Sequence, residues 1–437
     1  MNLNRLKKII LVLLMGSSHC LIMVADTESI VFDDADQPVR ADTVNRQGLL
    51  GTLNQILRQL EQCCAQTQAD FQATWNALTI DALTSYDLSG VVTAIAPCGP
   101  IIPITGPGWI TSPGNYCLAN NIVGNITIAA DDVILDLNNK QISFRNGIAL
   151  YVDGRKNITI KNGHVKGSST GAKIYNSTYV RIANVQFTQN NYGGTVEIQN
   201  SFDVFISNAY FMQNAAPVIS IDTSSNVQVI DTIMRANQAG TKHSSLCFAQ
   251  NSSGMLFDGC QIINNHLTSS IMYLSNITDS VFRNFHVYGN SYILSVFQIS
   301  SCQNTVLENL IIEANTAAAY PSVILALRSS GIIVRDCVVS KNTGEPTISA
   351  IEFCNVSNGV IERNSINGNT SPGASVGINI TQLDSMIIAN EVQGASTNYL
   401  ITGGVIPIME LSQATAAITI KSGGSSQTPY HNLSVVA

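Results

Sequence analysis

The sequence predicts an all-β fold, a parallel solenoid of about eleven coils. Three observations predict it: a repeat of short β runs, apolar columns within that repeat, and an asparagine returning at one place in eight consecutive units. Aligned segments include Asn157-Ile-Thr-Ile-Lys-Asn162, Tyr179-Val-Arg-Ile-Ala-Asn184, Asp203-Val-Phe-Ile-Ser-Asn208 and Asn226-Val-Gln-Val-Ile-Asp231. They continue through Gly254, Asp279, Asn304, Gly331 and Asn358, with starts 22 to 28 residues apart. A steady period of β runs without a helical pattern between them indicates stacked coils rather than a sandwich.

The columns make the repeat physical. One reads Ile160, Ile182, Ile206, Val229, Phe257, Phe282, Leu307, Val334, Ile361, and another, five residues on, runs from Val165 through Phe187 and Phe211 to Ile366. Both are apolar in every copy and must face inward. Between them lie Asn162, Asn184, Asn208, Asp231, Gly259, Asn284, Asn309 and Asp336, residue types that accept the left-handed backbone of a sharp corner. Six residues past the corner stand Asn190, Asn214, Asn237, Asn265, Asn290, Asn315, Asn342 and Asn369. An amide both donates and accepts, so a stack of them can form one hydrogen-bonded ladder. A second β run precedes each unit, as in Val218-Ile-Ser-Ile221 and Ala350-Ile-Glu-Phe353, so at least two parallel sheets run along the stack.

This pattern resembles the right-handed β-helix repeats of the pectin-lyase-like superfamily. The segment Pro113-Gly-Asn-Tyr-Cys-Leu118, followed by Ile126 to Leu137, is similar to the first coils of secreted bacterial members. The likeness extends from about Trp109 to Gly394 and implies a right-handed parallel β-helix. It does not single out a function, because the superfamily holds lyases, hydrolases, adhesins and tailspikes.

The remaining segments are assigned by composition. Residues 1–25 read as a signal peptide, with Lys7 and Lys8 ahead of the apolar run Ile9 to Met15. An acidic connector spans 26–44. Over 45–87, Leu49, Leu53, Ile56, Leu60 and Cys63 predict an amphipathic helix, either a cap on the open end of the solenoid or a short coiled-coil seam. A Pro/Gly-rich hinge is expected over 88–108, the solenoid over 109–402 and a tail or cap over 403–437. No stretch is long and apolar enough to span a membrane. The chain is therefore expected to be secreted, periplasmic or at the cell surface. Its net charge of −7 argues against nucleic acid, which asks for a concentrated basic face. Cys98 and Cys117 flank a Pro/Gly-rich segment and are the disulfide candidates, whereas Cys260, Cys302 and Cys337 fall within repeats as buried thiols.

Candidate sites fall on outward columns. Asp258, Arg283, Glu308, Arg335 and Glu362 alternate in sign on consecutive coils, either a register device or a binding surface for a charged saccharide. Beside them Leu256, Val281, Val306, Ile333 and Val360 are apolar where they should face out, a stripe suited to an interface with other copies, as in a trimer. No catalytic set is assigned: Asp131-Asp132 falls in a turn, and the acids Glu197, Asp222 and Glu352 of the second sheet do not adjoin in one column. No metal and no cofactor is expected. His164, His243, His266, His286 and His431 form no ligand motif. The expected function is binding or structural, directed at a polysaccharide or cell-surface glycan, with self-association. The alternative is a polysaccharide lyase or glycoside hydrolase acting on a β-helix face.

Overall fold

The computed structural model describes residues 101–402, apart from 192–193, 216, 239–244, 320–321 and 382–384, and beyond them three strands: Ile408–Ser412, Ile418–Lys421 and Val435–Val436. The helix, signal and connector expected over 1–87, and Cys98, lie outside the described residues. The described part is a parallel β-solenoid of about 11 turns. Its strands form a sheet of 24 strands that bends around a corner, a second sheet of 14, and a third of three short strands.

Register follows the sequence columns. Ile160 pairs with Ile182, Ile182 with Ile206, Ile206 with Val229, and Val229 with Phe257, each in the neighbouring coil. Both predicted inward columns are fully buried. Like side chains stack along the axis: Phe187 and Phe211 lie 5.0 Å apart with nearly parallel rings, and Phe257 and Phe282 lie 5.2 Å apart. Each buried Phe or Ile of such a column contributes on the order of 1.5–3 kcal/mol, so the core runs unbroken through the stack.

Corners are made by left-handed residues. In one coil Asn176, Tyr179, Asn184 and Gln189 have φ of 48°, 56°, 55° and 57°. In the next Asn200, Asp203, Asn208 and Gln213 repeat those positions at 49°, 55°, 50° and 56°. All eight residues of the predicted corner column, from Asn162 to Asp336, have positive φ. Gly259 is among them, at 66°, where any side chain would meet the Asp231 carboxylate.

The asparagine ladder is present and buried. From Asn190 to Asn369, each Nδ2 donates to the next Oδ1 across seven links of 2.8 to 3.0 Å. The same Oδ1 accepts the backbone N–H of the preceding asparagine, as Asn290 Oδ1 does from Asn265 at 2.8 Å. Nδ2 also reaches back to a carbonyl one coil earlier, Asn290 to Ile262 at 2.8 Å. A second ladder lies at another corner. Ser177, Ser201, Ser224 and Ser252 each accept a backbone N–H from the previous coil through Oγ, at 3.1 to 3.2 Å.

Two boundaries differ from the sequence reading. Ile101–Ile104 already pairs in parallel with Gly114–Leu118, inside the stretch assigned to a hinge. Parallel pairing also continues beyond 402, where a cap was expected: Ile408–Ser412 joins Ser385–Gln393, and Ile418–Lys421 joins Thr397–Thr402. Backbone pairing needs only an extended run in register, so it outlasts the side-chain signature that defines the repeat. Burial pushes the Cys260 and Cys337 thiols up to about 12, where they are inert packing groups.

Candidate functional site

The outward face of the long sheet carries both predicted columns, two residues apart on every strand. Backbone register places Asp258, Arg283, Glu308, Arg335 and Glu362 one above another. The side chains do not form one continuous chain of charges; they resolve into separate pairs. Arg283 Nη2 lies 2.8 Å from Asp258 Oδ2, and Arg335 Nη2 lies 2.9 Å from Glu308 Oε2. Glu362 turns sideways to Arg363 at 3.1 Å. Arg363 occupies the left-handed corner column and also grips Asp336 with two bonds, at 2.8 and 2.9 Å. Such a fork matches the carboxylate plane.

These contacts fix protonation. Partial burial opposes the charge on Asp258, but hydrogen bonds from Asn284 (2.6 Å) and Arg283 outweigh it and hold the carboxyl below its ordinary value. The bond from Arg363 does the same for Asp336. Acids held in this way are anions at neutral pH, fit to meet cations and hydroxyls and unfit to donate a proton.

The neighbouring stripe, Leu256, Val281, Val306, Ile333 and Val360, is half-buried, because side chains stacked one coil apart cover each other's flanks. More exposed apolar groups lie elsewhere. Past the corner, Tyr288 is 43% exposed, and Ile311 and Val338 stack on each other in the neighbouring column, above His286. At the N-terminal end Tyr179 is 61% exposed, and the Arg181 guanidinium sits 5.2 Å above the Phe205 ring. In the second sheet Glu197 and Glu352 share an outward column but lie six coils apart, and Asp222 is in another column. Asp131 and Asp132 are corner residues: Asp131 accepts the Lys156 N–H and Asp132 the Asn157 amide. Half-burial lowers the affinity of His164 for a proton, while His243 and His431 lie outside the described residues. Among the described residues no three of His, Cys, Asp or Glu converge as metal ligands. Cys117 is half-buried; its candidate partner Cys98 is not described.

A feature missed in the sequence lies at the corner of the asparagine ladder, on its outer side. A groove of about 820 Å³ crosses the first coils there, lined by Gln141, Arg145, Lys166, Gln189, Gln213 and Gln238 among others. The only sequence signal for it was a pair of glutamines, Gln189 and Gln213, directly preceding ladder asparagines.

Comparison with a family model agrees on the architecture. Residues 124–320 match the family model for a right handed beta helix region. Among solved structures, the Streptococcus pneumoniae surface protein and adhesin PfbA is 16% identical, with a TM-score of 0.36 over 73% of this chain and 94% of that one. A hyperthermoactive exopolygalacturonase from Thermotoga maritima is 10% identical, with a TM-score of 0.34 over 65% and 84%. The A-module of the Azotobacter vinelandii mannuronan C-5 epimerase AlgE4 is 13% identical, with a TM-score of 0.31 over 73% and 90%. A search of the curated proteins finds no match.

Proposed function

We propose that this right-handed parallel β-helix is an exported binding protein that holds a polysaccharide or cell-surface glycan along the outside of its coils. The observation that carries this reading is the pairing of the acids on its long outward face. Asp258, Glu308 and Glu362 are each tied to an arginine within 2.8 to 3.1 Å. Asp258 is held below its ordinary value, whereas cleavage of a glycosidic bond by a carboxyl pair needs one member to keep a proton near neutral pH. Paired anions supply fixed acceptors and forked donors instead, which suit hydroxyl and carboxylate groups of sugars. Self-association along the stripe from Leu256 to Val360 belongs to the same reading; a strictly monomeric chain in sedimentation would remove that part.

The test is an array of immobilised neutral and acidic polysaccharides probed with the full chain. Retention on a subset, weakened by salt, is the expected result. Uniform lack of retention by folded protein would contradict the proposal.

A further inference from the structure

We infer that the long outward face docks a second copy of this chain with its solenoid axis reversed, the two related by a two-fold axis that runs parallel to the strands between the coils of Arg283 and Glu308. This orientation rests on the self-association proposed for the stripe from Leu256 to Val360, and it fixes the direction and register of the second copy.

Polarity is the first ground. The two ion pairs of the outward column point the same way along the solenoid. Asp258 lies one coil before Arg283, at 2.8 Å, and Glu308 lies one coil before Arg335, at 2.9 Å. Each pair is a dipole. A copy laid in the same direction brings like charges to one level wherever the two columns meet, and like charges repel. A reversed copy turns its dipoles round. Arg283 and Glu308 adjoin in register, so an axis between them sets Arg283 opposite the partner's Glu308 and Asp258 opposite the partner's Arg335. Glu362, the next member, falls opposite the partner's Ile230, which stands one coil before Asp258. That acid is the one that has turned aside to Arg363.

The apolar stripe is the second ground. A two-fold axis parallel to the strands leaves every residue's place along its strand unchanged, so stripe meets stripe while charges meet charges. Leu256 then faces the partner's Ile333, and Val281 faces the partner's Val306. These side chains are only half-buried within one chain, so the contact removes the rest of their surface from water. An axis along the solenoid exchanges left and right across the face, and cannot lay both columns on their own counterparts.

The size of the patch sets the strength. Five coils at about 4.8 Å, with outward strands of about six residues at 3.3 Å each, give roughly 500 Å² on each copy, against about 800 Å² in a standard interface. A contact of this size makes a dimer that depends on concentration. It also covers the acids on which glycan binding rests, so a bound glycan and the second copy compete, and ligand shifts the dimer toward monomer.

The test is sedimentation equilibrium of the full chain, under reducing conditions and over a wide range of concentration. It compares the parent with Glu308→Arg, with Arg283→Glu, and with the double variant that carries both exchanges. Each single variant sets two like-charge contacts across the reversed interface and should weaken the dimer roughly tenfold or more. The double variant restores opposite signs and should return the dissociation constant close to the parent's. All three should melt near the parent, because exposed pairs contribute little. The two single variants probe one contact from either side, so misfolding of one leaves the other to decide. In a copy laid in the same direction Glu308 meets the partner's Glu308, and exchanging its sign on both copies leaves the repulsion as it was. Single variants that dimerise like the parent, a double variant as weak as the singles, or a trimer would overturn the reversed orientation and leave self-association standing. A strict monomer at every concentration removes both, while retention on the polysaccharide array decides glycan binding separately.

Discussion

The asparagine ladder and the charged ladder climb the same solenoid and behave differently. The asparagine ladder lies inside: its eight members are at most 3% exposed and its seven amide links vary by only 0.2 Å. The charged ladder lies outside, in equally good backbone register, yet its side chains break into local pairs. Backbone register is common to both, so the difference comes from solvent. A buried amide has nowhere else to bond, and each link must be made. An exposed arginine chooses among carboxylates and water at little cost, so it settles on the nearest good geometry.

That contrast ranks the expected effects of mutation. Asn290→Ala should be the most damaging, because it leaves the Asn265 backbone N–H and one Nδ2 hydrogen of Asn265 without their acceptor and takes the Nδ2 donor from the Ile262 carbonyl inside the stack. A loss of about 3 kcal/mol is expected from several buried polar groups left unpaired, read as a shift in urea midpoint. Ser201→Ala removes one acceptor for the Ser177 N–H and should cost about 1 kcal/mol by the same measurement. Arg335→Ala, at a pair more than a third exposed, should change stability by less than about 1 kcal/mol, and the change should shrink in salt. If Arg335→Ala proves as costly as Asn290→Ala, the distinction between the ladders fails.

The smallest effect concerns acid. Asp336 is held below its ordinary value by Arg363, so its folded form binds protons less readily than the unfolded chain. Its contribution is therefore complete above the ordinary value of 3.8 and fades as pH falls through the depressed folded value. Arg363→Gln should remove that contribution, lowering stability slightly at every pH above 3.8 and flattening the fall below it. A curve that steepens instead would reverse the assigned sign.

The interior was legible before the structure because it rests on residue identity repeated at one place: Ile160 and its column can only face in, and Asn190 and its column bond to themselves. The serine ladder carried a comparable signal, since Ser177, Ser201, Ser224 and Ser252 each stand two residues ahead of a unit start. It was obscured because serine is common in turns for local reasons. The pairing on the outer face was not legible. Sequence aligns Glu362 with Arg335, but only three-dimensional geometry shows Arg363 nearer. The groove was hidden for a different reason: Gln141 and Arg145 belong to the earliest coils, where the repeat is faint, and a trough across corners has no sequence period of its own.

The most direct test of the central claim follows one sample through two readouts. The full chain is titrated with oligogalacturonate until saturation, and the same mixture is then assayed for new reducing ends and unsaturated uronides. Saturable binding with the sugar recovered intact is the expected result. Cleavage products that accumulate with the parent, and disappear when Arg283 and Arg335 are replaced by alanine in a chain of unchanged melting temperature, would contradict it and make the outward charged face an active site.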